Sequence, residues 1–468
     1  MTLTTNIGKF KKTYFFPILL LHLVLLINTK FTLWPEMVVY PYLLNNGFIL
    51  YKDLINPYLP TLSYILSLFT KYYGYSPENF RLLTWAYILF TDILIFRISL
   101  LLSKNYYKST LSLLFFALLS LSFYINGLWF DLIQTPLIIL SIYNLYKFID
   151  TKNKVSVQLA FFFALVAFFI KQQAVWLIVF YIAVLIWRYK GKSLFWAKAI
   201  GPVLIIFIGL YFYFAIIFTR LNALSDFFFW TTYFPFFKAS SLPGYLLLPT
   251  IKQALVVFFL FALFISAVGK NLKHNIFILG AFSTALFAYP RFDYFHLVPS
   301  LAILSLVAGE ALILQAKSKI YLAFILLPSL VIFIIFSYKY FISNWTSEIR
   351  FFEADIQSSA TFLSLMTDPK DLIYIQNGPD QILPMAKRLP PKPWAIQFPW
   401  YLELKGYQQK VVDGISNSGT KYIVFKQYEN KKEFDLGAYR PVLIANYINA
   451  NYHDHTKISD SLWLKAKN

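Results

Sequence analysis

Two carboxylates, and the residues spaced around them, carry the clearest chemical signal in this 468-residue chain. Glu36 follows Trp34 and Pro35, and Asp53 follows Tyr51 and Lys52, within a segment (residues 31–79) lying between two strongly apolar runs. A carboxylate held beside a membrane surface can take the proton from an attacking hydroxyl. Two of them can also hold a divalent cation through oxygen ligands. The competing reading is that such acids only solvate their loop. Further along, Asp131 opens an apolar run, Lys171 ends another ahead of Gln172 and Gln173, and Arg291 and His296 flank Asp293 just before Pro299. A cation at the end of an apolar run can meet an anionic substrate group, or it can snorkel to lipid phosphates. For Arg291 and His296 the bland alternatives are a lipid anchor and a packed imidazole. His453 and His455, around Asp454, lack further ligands at metal-site spacing and read as a solvated loop.

The elements that must position these residues follow from composition. The chain is 58% hydrophobic and 20% aromatic, with 14% charged residues and a mean hydropathy of +0.58. A soluble domain carries roughly a quarter charged residues, and a disordered chain needs low hydrophobicity, so both classes are excluded. Apolar runs at about 14–27, 80–103, 109–127, 131–149, 156–170, 174–189, 196–218, 247–268, 275–289, 297–314 and 320–341 predict eleven transmembrane helices. The first run has no small-x-small cleavage site and reads as a retained span. Asp92 falls mid-span, where an ionisable group is costly, and Arg97 is the expected partner. Cysteine is absent, which removes disulfides and thiolate metal sites.

The net charge of +20 could signal a nucleic-acid partner, but its distribution assigns it to topology. Residues 1–342 hold 27 Lys/Arg against 9 Asp/Glu, whereas residues 343–468 hold 15 against 13. With the N-terminus cytoplasmic, the inner segments carry Lys9, Lys11, Lys12, Lys104, Lys108, Lys147, Lys152, Lys154, Arg188, Lys190, Lys192, Lys198, Lys270, Lys273, Lys317 and Lys319. Short cytoplasmic loops are enriched in such residues. Six of the nine acids then fall at the outer face, and an odd number of spans places residues 343–468 outside.

Two outer segments are longer than connectors. Residues 31–79 hold a helix-like stretch at Met37–Leu44, a turn at Asn45-Asn46-Gly47, breaks at Pro57 and Pro60, and an amphipathic stretch from Thr61 to Tyr73. Both stretches fit helices in the membrane interface. Residues 219–245 are dense in aromatics and read as an interfacial loop. Beyond Ser343 the composition becomes that of a soluble domain. Helices are expected at Glu353–Met366 and Gly378–Lys387, with strands at Asp371–Ile375, Tyr422–Phe425 and Leu462–Leu464. The fold class is a polytopic α-helical membrane protein of about eleven transmembrane helices (1–342), with interfacial helices in the first outer loop and a small extracytoplasmic α/β domain (343–468).

The order of these features resembles the GT-C superfamily of integral-membrane glycosyltransferases, especially the protein O-mannosyltransferases, aminoarabinose transferases and rhizobial lipopolysaccharide sugar transferases. In that group an acidic motif in the first outer loop is followed by a Gly, a Tyr-x-Asp and a Pro ahead of an interfacial helix ending in Gly. Glu36, Gly47, Tyr51 with Asp53, Pro60 and Gly74 stand in that order here, and Arg81 fits the start of the next span. Asp131 is similar to a later outer acid, Lys171 to a lysine at an outer helix end, and Arg291 through His296 to a late Arg/His element. The family's acidic motif is commonly Asp-Glu with the Asp as proposed base, whereas this chain has Pro35-Glu36.

The resemblance implies transfer of a sugar from a polyprenyl-phosphate donor to a hydroxyl of a cell-envelope glycan, lipid or protein, at the extracytoplasmic face of the cell membrane. Displacement would be inverting, with Glu36 or Asp53 as base. Lys171, Asp131, Arg291, His296, Tyr51 and Arg81 would contact substrate, the cations stabilising the leaving phosphate. Relatives differ in using a divalent cation, and no motif here requires one. Membrane lipids are partners; nucleic acid is not. Two other readings compete. A flippase of lipid-linked sugars would place polar groups at the midplane in a repeated pattern, and neither is evident in the sequence. An inactive relative acting as a binding protein is kept open by Pro35.

Overall fold

In a computed structural model, residues 14–189, 198, 200–242, 244–265, 272–394, 399–426 and 441–468 are described. Lys9, Lys11, Lys12, Lys190, Lys192 and Lys270, and the side chain of Lys273, lie outside the described residues.

A helix occupies each of the eleven apolar runs. In chain order the first helices are α1 (Phe15–Ile27), α2 (Glu36–Asn45), α3 (Thr61–Tyr73), α4 (Pro77–Ser103), α5 (Tyr106–Ser122), α6 (Phe130–Thr151), α7 (Lys154–Ile170) and α8 (Val175–Tyr189). Later runs form Gly201–Arg220, Ile251–Ile265, Leu272–Ala285, Val298–Ala316 and Leu327–Asn344. Among the described residues six helical stretches are long and apolar enough to cross a membrane: Pro77–Ser103, Phe130–Thr151, Gln172–Tyr189, Gly201–Arg220, Tyr294–Ala316 and Lys319–Asn344.

The chain packs as two compact units built from interleaved segments. One comprises Met1–Phe31, Arg81–Tyr211 and Leu248–Ser347; the other comprises Thr32–Phe80, Phe212–Leu247 and Glu348–Asn468.

In the first unit, α6 and the stretch Tyr294–Ala316 are the inner helices, with 67% and 78% of their apolar windows buried inside the protein, against 17% for Lys319–Asn344. The outer helices turn Leu, Ile and Phe side chains outward, an arrangement that hydrocarbon accepts and water does not. Close packing at the centre depends on a small residue. Gly309 donates its backbone N–H to Ser112 Oγ of α5 at 3.0 Å, and a Cβ at this position would fall 1.9 Å from the Lys108 carbonyl oxygen. The mid-span acid Asp92 is paired with His22 of α1 at 2.7 Å, both residues fully buried. Arg97, the partner expected from sequence, is exposed: it lies five positions on, beyond the i+3 or i+4 spacing that brings side chains to one helix face.

In the second unit, α2 is enclosed by protein. Residues from Glu36 to Leu43 are all buried, so α2 does not lie in a membrane interface as its sequence suggested; a helix apolar on every side favours burial on every side. α3 is different. Its buried face mixes Leu62 and Leu66 with Ser63, Ser67 and Thr70, while Ile65, Leu68, Tyr72 and Tyr73 are exposed. Asn45 holds the polar face, donating to the Ser67 carbonyl and Thr70 Oγ1 at 3.0 Å and accepting from Ser67 Oγ at 2.6 Å. The exposed apolar and aromatic face suits an interfacial helix. The aromatic segment is helical, Leu224–Phe228 continuing into a π-helical stretch, Phe229–Lys238, that accommodates Pro235. It buries Phe227, Trp230 and Phe234 and exposes Tyr233, Phe236 and Phe237.

The last segment of this unit contains a four-stranded sheet. Ile373–Gln376 runs parallel to Tyr422–Lys426, which pairs antiparallel with Leu462–Lys467, which in turn pairs antiparallel with Tyr452–Lys457. Helix Ala354–Met366 lies where sequence placed it. The helix expected over Gly378–Lys387 is confined to Ile382–Ala386, because Asn377, Gly378 and Lys387 have positive φ. His453 and His455 are solvent-exposed as expected, but in a strand and not a loop.

Candidate active site

Within the first unit, three residues far apart in sequence form one buried ionic group. Asp131 stands in the first turn of α6. Lys171 ends α7 in an extended conformation just before the 3-10 turn Gln172–Ala174. His296 sits in the 3-10 turn Tyr294–Leu297 that leads into Val298–Ala316. Asp131 Oδ2 lies 2.8 Å from Lys171 Nζ and 3.0 Å from His296 Nδ1, and the two nitrogens are 3.2 Å apart. A neutral imidazole nitrogen either donates or accepts, so Nδ1 serves Asp131 or Lys171 but not both. Gln134, one turn along α6, donates to the carbonyls of Ala167 and Lys171 at 2.8 and 2.7 Å and fixes the end of α7. All three ionic side chains are buried, which makes the pairing essential to the fold, since an isolated buried charge is prohibitively costly. Asp131 Oδ1 has no hydrogen-bond partner in the structure.

Arg291 is half-buried in the chain leading to this group. Arg81 donates to the Ser347 carbonyl at 2.9 Å and covers the Trp85 ring at 5.1 Å. Trp85 in turn donates to Asn126 Oδ1, and Asn126 donates to the carbonyls of Leu26 and Thr29, so Arg81 belongs to a brace joining several helix ends of this unit.

Within the second unit, the two sequence-predicted acids have different surroundings. Asp53 closes a tight turn: its Oδ2 accepts from the Ile49 N–H at 3.0 Å and its own N–H donates to the Ile49 carbonyl at 2.8 Å. The same Oδ2 accepts from Lys392 Nζ at 2.8 Å, and that ammonium also donates to the Gly47 carbonyl and covers the Phe48 ring. Backbone bonds from Trp394 N–H to Asp53 O and from Ile55 N–H to Trp394 O tie the same stretches together. Tyr51 takes a left-handed conformation in the turn (φ 72°), donates to the Tyr58 carbonyl at 2.8 Å and packs edge-on against Phe218 and Phe227.

Glu36 has no such partners. It opens α2 behind Pro35, is 3% exposed, and neither carboxylate oxygen accepts a hydrogen bond from any other described residue. Burial pushes its carboxyl up to about 8, opposed by its own backbone N–H and assisted by the charge of Asp380. One turn along α2, Tyr40 donates its hydroxyl to the Ile55 carbonyl at 2.8 Å, and its own acidity is weakened by burial and by Tyr401, Glu36, Tyr58 and Asp380. Asp380 is itself buried, just ahead of helix Ile382–Ala386, which packs on α2. A carboxyl poised near neutral pH in an apolar setting is suited to proton transfer.

Sequence reasoning missed Lys392, Asp380 and the His22–Asp92 pair. Lys392 has no spacing relation to Asp53, which it meets, nor Asp380 to Glu36, whose proton affinity it raises, and each lies more than 300 positions from that acid in the chain. His22 was legible as an ionisable group within the first apolar run. Among the described residues no group of three or more His, Cys, Asp or Glu is placed to hold a metal ion.

No protein-family model and no curated protein sequence matches the chain. Solved structures do. ArnT from Cupriavidus metallidurans bound to undecaprenyl phosphate superposes with a TM-score of 0.60 at 13% identity, over 97% of both chains. The apo state of the same protein gives 0.56 at 12% identity, again over 97% of both. The mycobacterial arabinofuranosyltransferase AftD gives 0.52 at 12% identity, over 97% of this chain and 41% of the other. At such identities the likeness is one of fold: the chain shares the membrane fold of ArnT, an aminoarabinose-transferase structure of the kind its motif order resembles.

Proposed function

We propose that the protein is a membrane glycosyltransferase that moves a sugar from a polyprenyl-phosphate donor to an acceptor hydroxyl of a cell-envelope glycan, lipid or protein. The observation that carries this reading is Glu36, a buried carboxylate without a partner in a chain with the fold of ArnT, a protein crystallised with undecaprenyl phosphate. Glu36 takes the proton of the acceptor hydroxyl as its oxygen attacks the anomeric carbon; the bond from that carbon to the phosphate oxygen breaks, and polyprenyl phosphate leaves with inversion. A base pushed up to about 8 is stronger than an ordinary carboxylate while still partly ionised at neutral pH. Lys171, Asp131, Arg291 and His296 keep the substrate-binding assignments implied by the family resemblance, the cations suiting an anionic substrate group. Tyr51 and Arg81 keep their sequence-derived assignments to substrate, and Asp53 stands as the alternative base to Glu36, the two being separated by their asparagine and glutamine variants. A divalent cation is a further candidate for the phosphate.

The accompanying topology has eleven crossings within residues 1–342, a cytoplasmic N-terminus and the α/β segment 343–468 on the extracytoplasmic side. The basic inner segments support it.

The test is turnover by the purified protein in liposomes loaded with a panel of undecaprenyl-phosphate sugars and envelope acceptors, read as free undecaprenyl phosphate. Wild type should release it with at least one donor, and Glu36→Gln should not. Mass spectrometry of cells lacking the gene should show the unused lipid-linked sugar accumulating on the outer leaflet; accumulation on the cytoplasmic leaflet would instead indicate a flippase.

A further inference from the structure

The three members of the buried ionic group are not equally deep. The side chain of Asp131 is 1% exposed, that of Lys171 3% and that of His296 9%, so the imidazole forms the outer edge. Both polar contacts of His296 run through Nδ1. Nε2, across the ring, bonds to no described residue and, unlike Asp131 Oδ1, is not sealed in protein. Phe295 packs on the imidazole with centroids 4.2 Å apart, and Trp129 packs edge-on against Phe295, so the ring is held with Nε2 outward.

Charge balance decides what that atom can meet. The turn Tyr294–Leu297 packs on α6, Leu286–Ala288, Leu272–Ala285 and Val298–Ala316. The first turn of α6 contributes Asp131, and the end of α7 contributes Lys171. The chain entering the turn contributes Arg291 and Asp293, whose carbonyl accepts from the His296 N–H at 3.2 Å. Tyr294 adds a phenol packed on Phe123 and Phe336. Leu286–Ala288 and the described part of Leu272–Ala285 bring no ionisable group, and Val298–Ala316 brings none before Glu310, about 20 Å along that helix. With a neutral imidazole, two acids and two cations cancel. An anion entering here is therefore unbalanced unless a proton comes with it.

We propose that His296 Nε2 binds the phosphate of a lipid phosphodiester, and that binding takes up one proton from solvent, which turns the imidazole into a cation. Both nitrogens of an imidazolium donate. Nδ1–H then donates to Asp131 Oδ2 over the existing 3.0 Å, and Nε2–H donates to a phosphate oxygen as a charge-assisted bond. Lys171 keeps its own bond to Asp131 at 2.8 Å, while Nδ1 no longer accepts from it. Asp131 is thus a positioning residue shared by two donors, and His296 is the member of the group that touches the ligand. This inference deepens the proposed function and rests on its polyprenyl-phosphate donor, which is the phosphodiester in question.

The test is isothermal titration calorimetry of the full-length protein in detergent, in buffers of different ionisation enthalpy, which counts the protons exchanged. The ligand is undecaprenyl methyl phosphate, whose single charge is fixed, so a proton taken up falls on the protein. At about pH 7.5 wild type should take up about one proton per lipid bound. Its affinity should fall by up to about tenfold per pH unit between about pH 7 and 9, as linkage to one proton requires. Undecaprenol, which lacks the phosphate, should exchange none. Absence of binding, binding without proton uptake, or equal uptake with undecaprenol would each overturn the proposal without any variant. His296→Gln keeps a donor near the position of Nε2 but takes no proton. It should bind the lipid, exchange no proton and lose the pH dependence of affinity. Unchanged uptake in this variant would place the proton on another group and overturn the role of His296. If wild type and variant behave as expected but no undecaprenyl-phosphate sugar turns over, the phosphate site stands and the glycosyltransferase reading fails.

Discussion

Asp131 and Glu36 are both carboxylates at helix starts, both buried, and differ in what surrounds them. Asp131 has an ammonium at 2.8 Å and an imidazole at 3.0 Å. Glu36 has a buried acid, Asp380, and the phenol of Tyr40 acting on it, and no cation among the described residues. A carboxylate with a paired cation stays ionised and orders the chain around it; its charge is already committed. A carboxylate without one is destabilising when ionised and therefore holds its proton loosely near neutral pH, which is useful only to chemistry that moves protons. The contrast separates two tasks: one acid organises a cation, the other exchanges a proton.

The largest effect should come from removing the unpartnered acid. Glu36→Gln keeps the shape of the side chain and abolishes its basicity, so turnover should drop by roughly 10²–10⁴-fold, with the melting temperature in detergent unchanged or raised. A variant that melts early and retains its turnover would reverse the roles of the two acids. Lys171→Met should lower stability as well as turnover. It leaves Asp131 buried and uncompensated, and breaking such a pair costs about 3–5 kcal/mol, read as a lower melting temperature. Adding Asp131→Asn should recover part of that loss, because the stranded charge is then gone. If Lys171→Met melts like wild type, the ionic group is not what holds these helix ends.

Dependence on pH distinguishes the two acids next. Glu36 is pushed up from 4.5 to about 8, so between these values the folded chain holds a proton that the unfolded chain has released. Its stabilising contribution is fully present below about pH 4.5 and is lost as pH rises through about 8. The whole excursion is on the order of 5 kcal/mol at most. Melting temperature should therefore decline from pH 5 to 8 and level off above, while turnover rises over the same range as the base ionises. Glu36→Gln should flatten the stability trend; a trend that persists in this variant must come from other groups.

Helix positions and the polar segment between the first two apolar runs were legible because periodicity and hydropathy act locally: α3 spans Thr61–Tyr73 as read from its pattern. Candidate residues were legible by type at span ends. Their grouping was not. Asp131, Lys171 and His296 meet only because three helix ends converge, and Asp380 and Lys392 come from a segment whose own pattern suggested nothing beyond strands and helices. The enclosure of α2 was missed for a related reason: an apolar run looks alike whether lipid or protein surrounds it.

The smallest effect is expected at Asp53, and it sharpens the comparison most. Asp53 is neither unpartnered nor deeply buried: its side chain is 14% exposed and that of Lys392 is 45% exposed. Such pairs contribute about 0–1 kcal/mol. The remaining contacts of Asp53 are those of a turn, with the Ile49 amide on its carboxylate and the Trp394 amide on its carbonyl. Asparagine preserves one acceptor oxygen and the backbone bonds. Asp53→Asn should therefore melt within a few degrees of wild type and retain turnover within a few-fold, whereas Lys392→Met should match it in both respects, since the two act through one contact. A loss of turnover in Asp53→Asn as deep as that of Glu36→Gln, with Lys392→Met still active, would make Asp53 the base and leave Glu36 to tune the site; equal and modest losses in both variants would confine Asp53 to shaping the loop that presents α2.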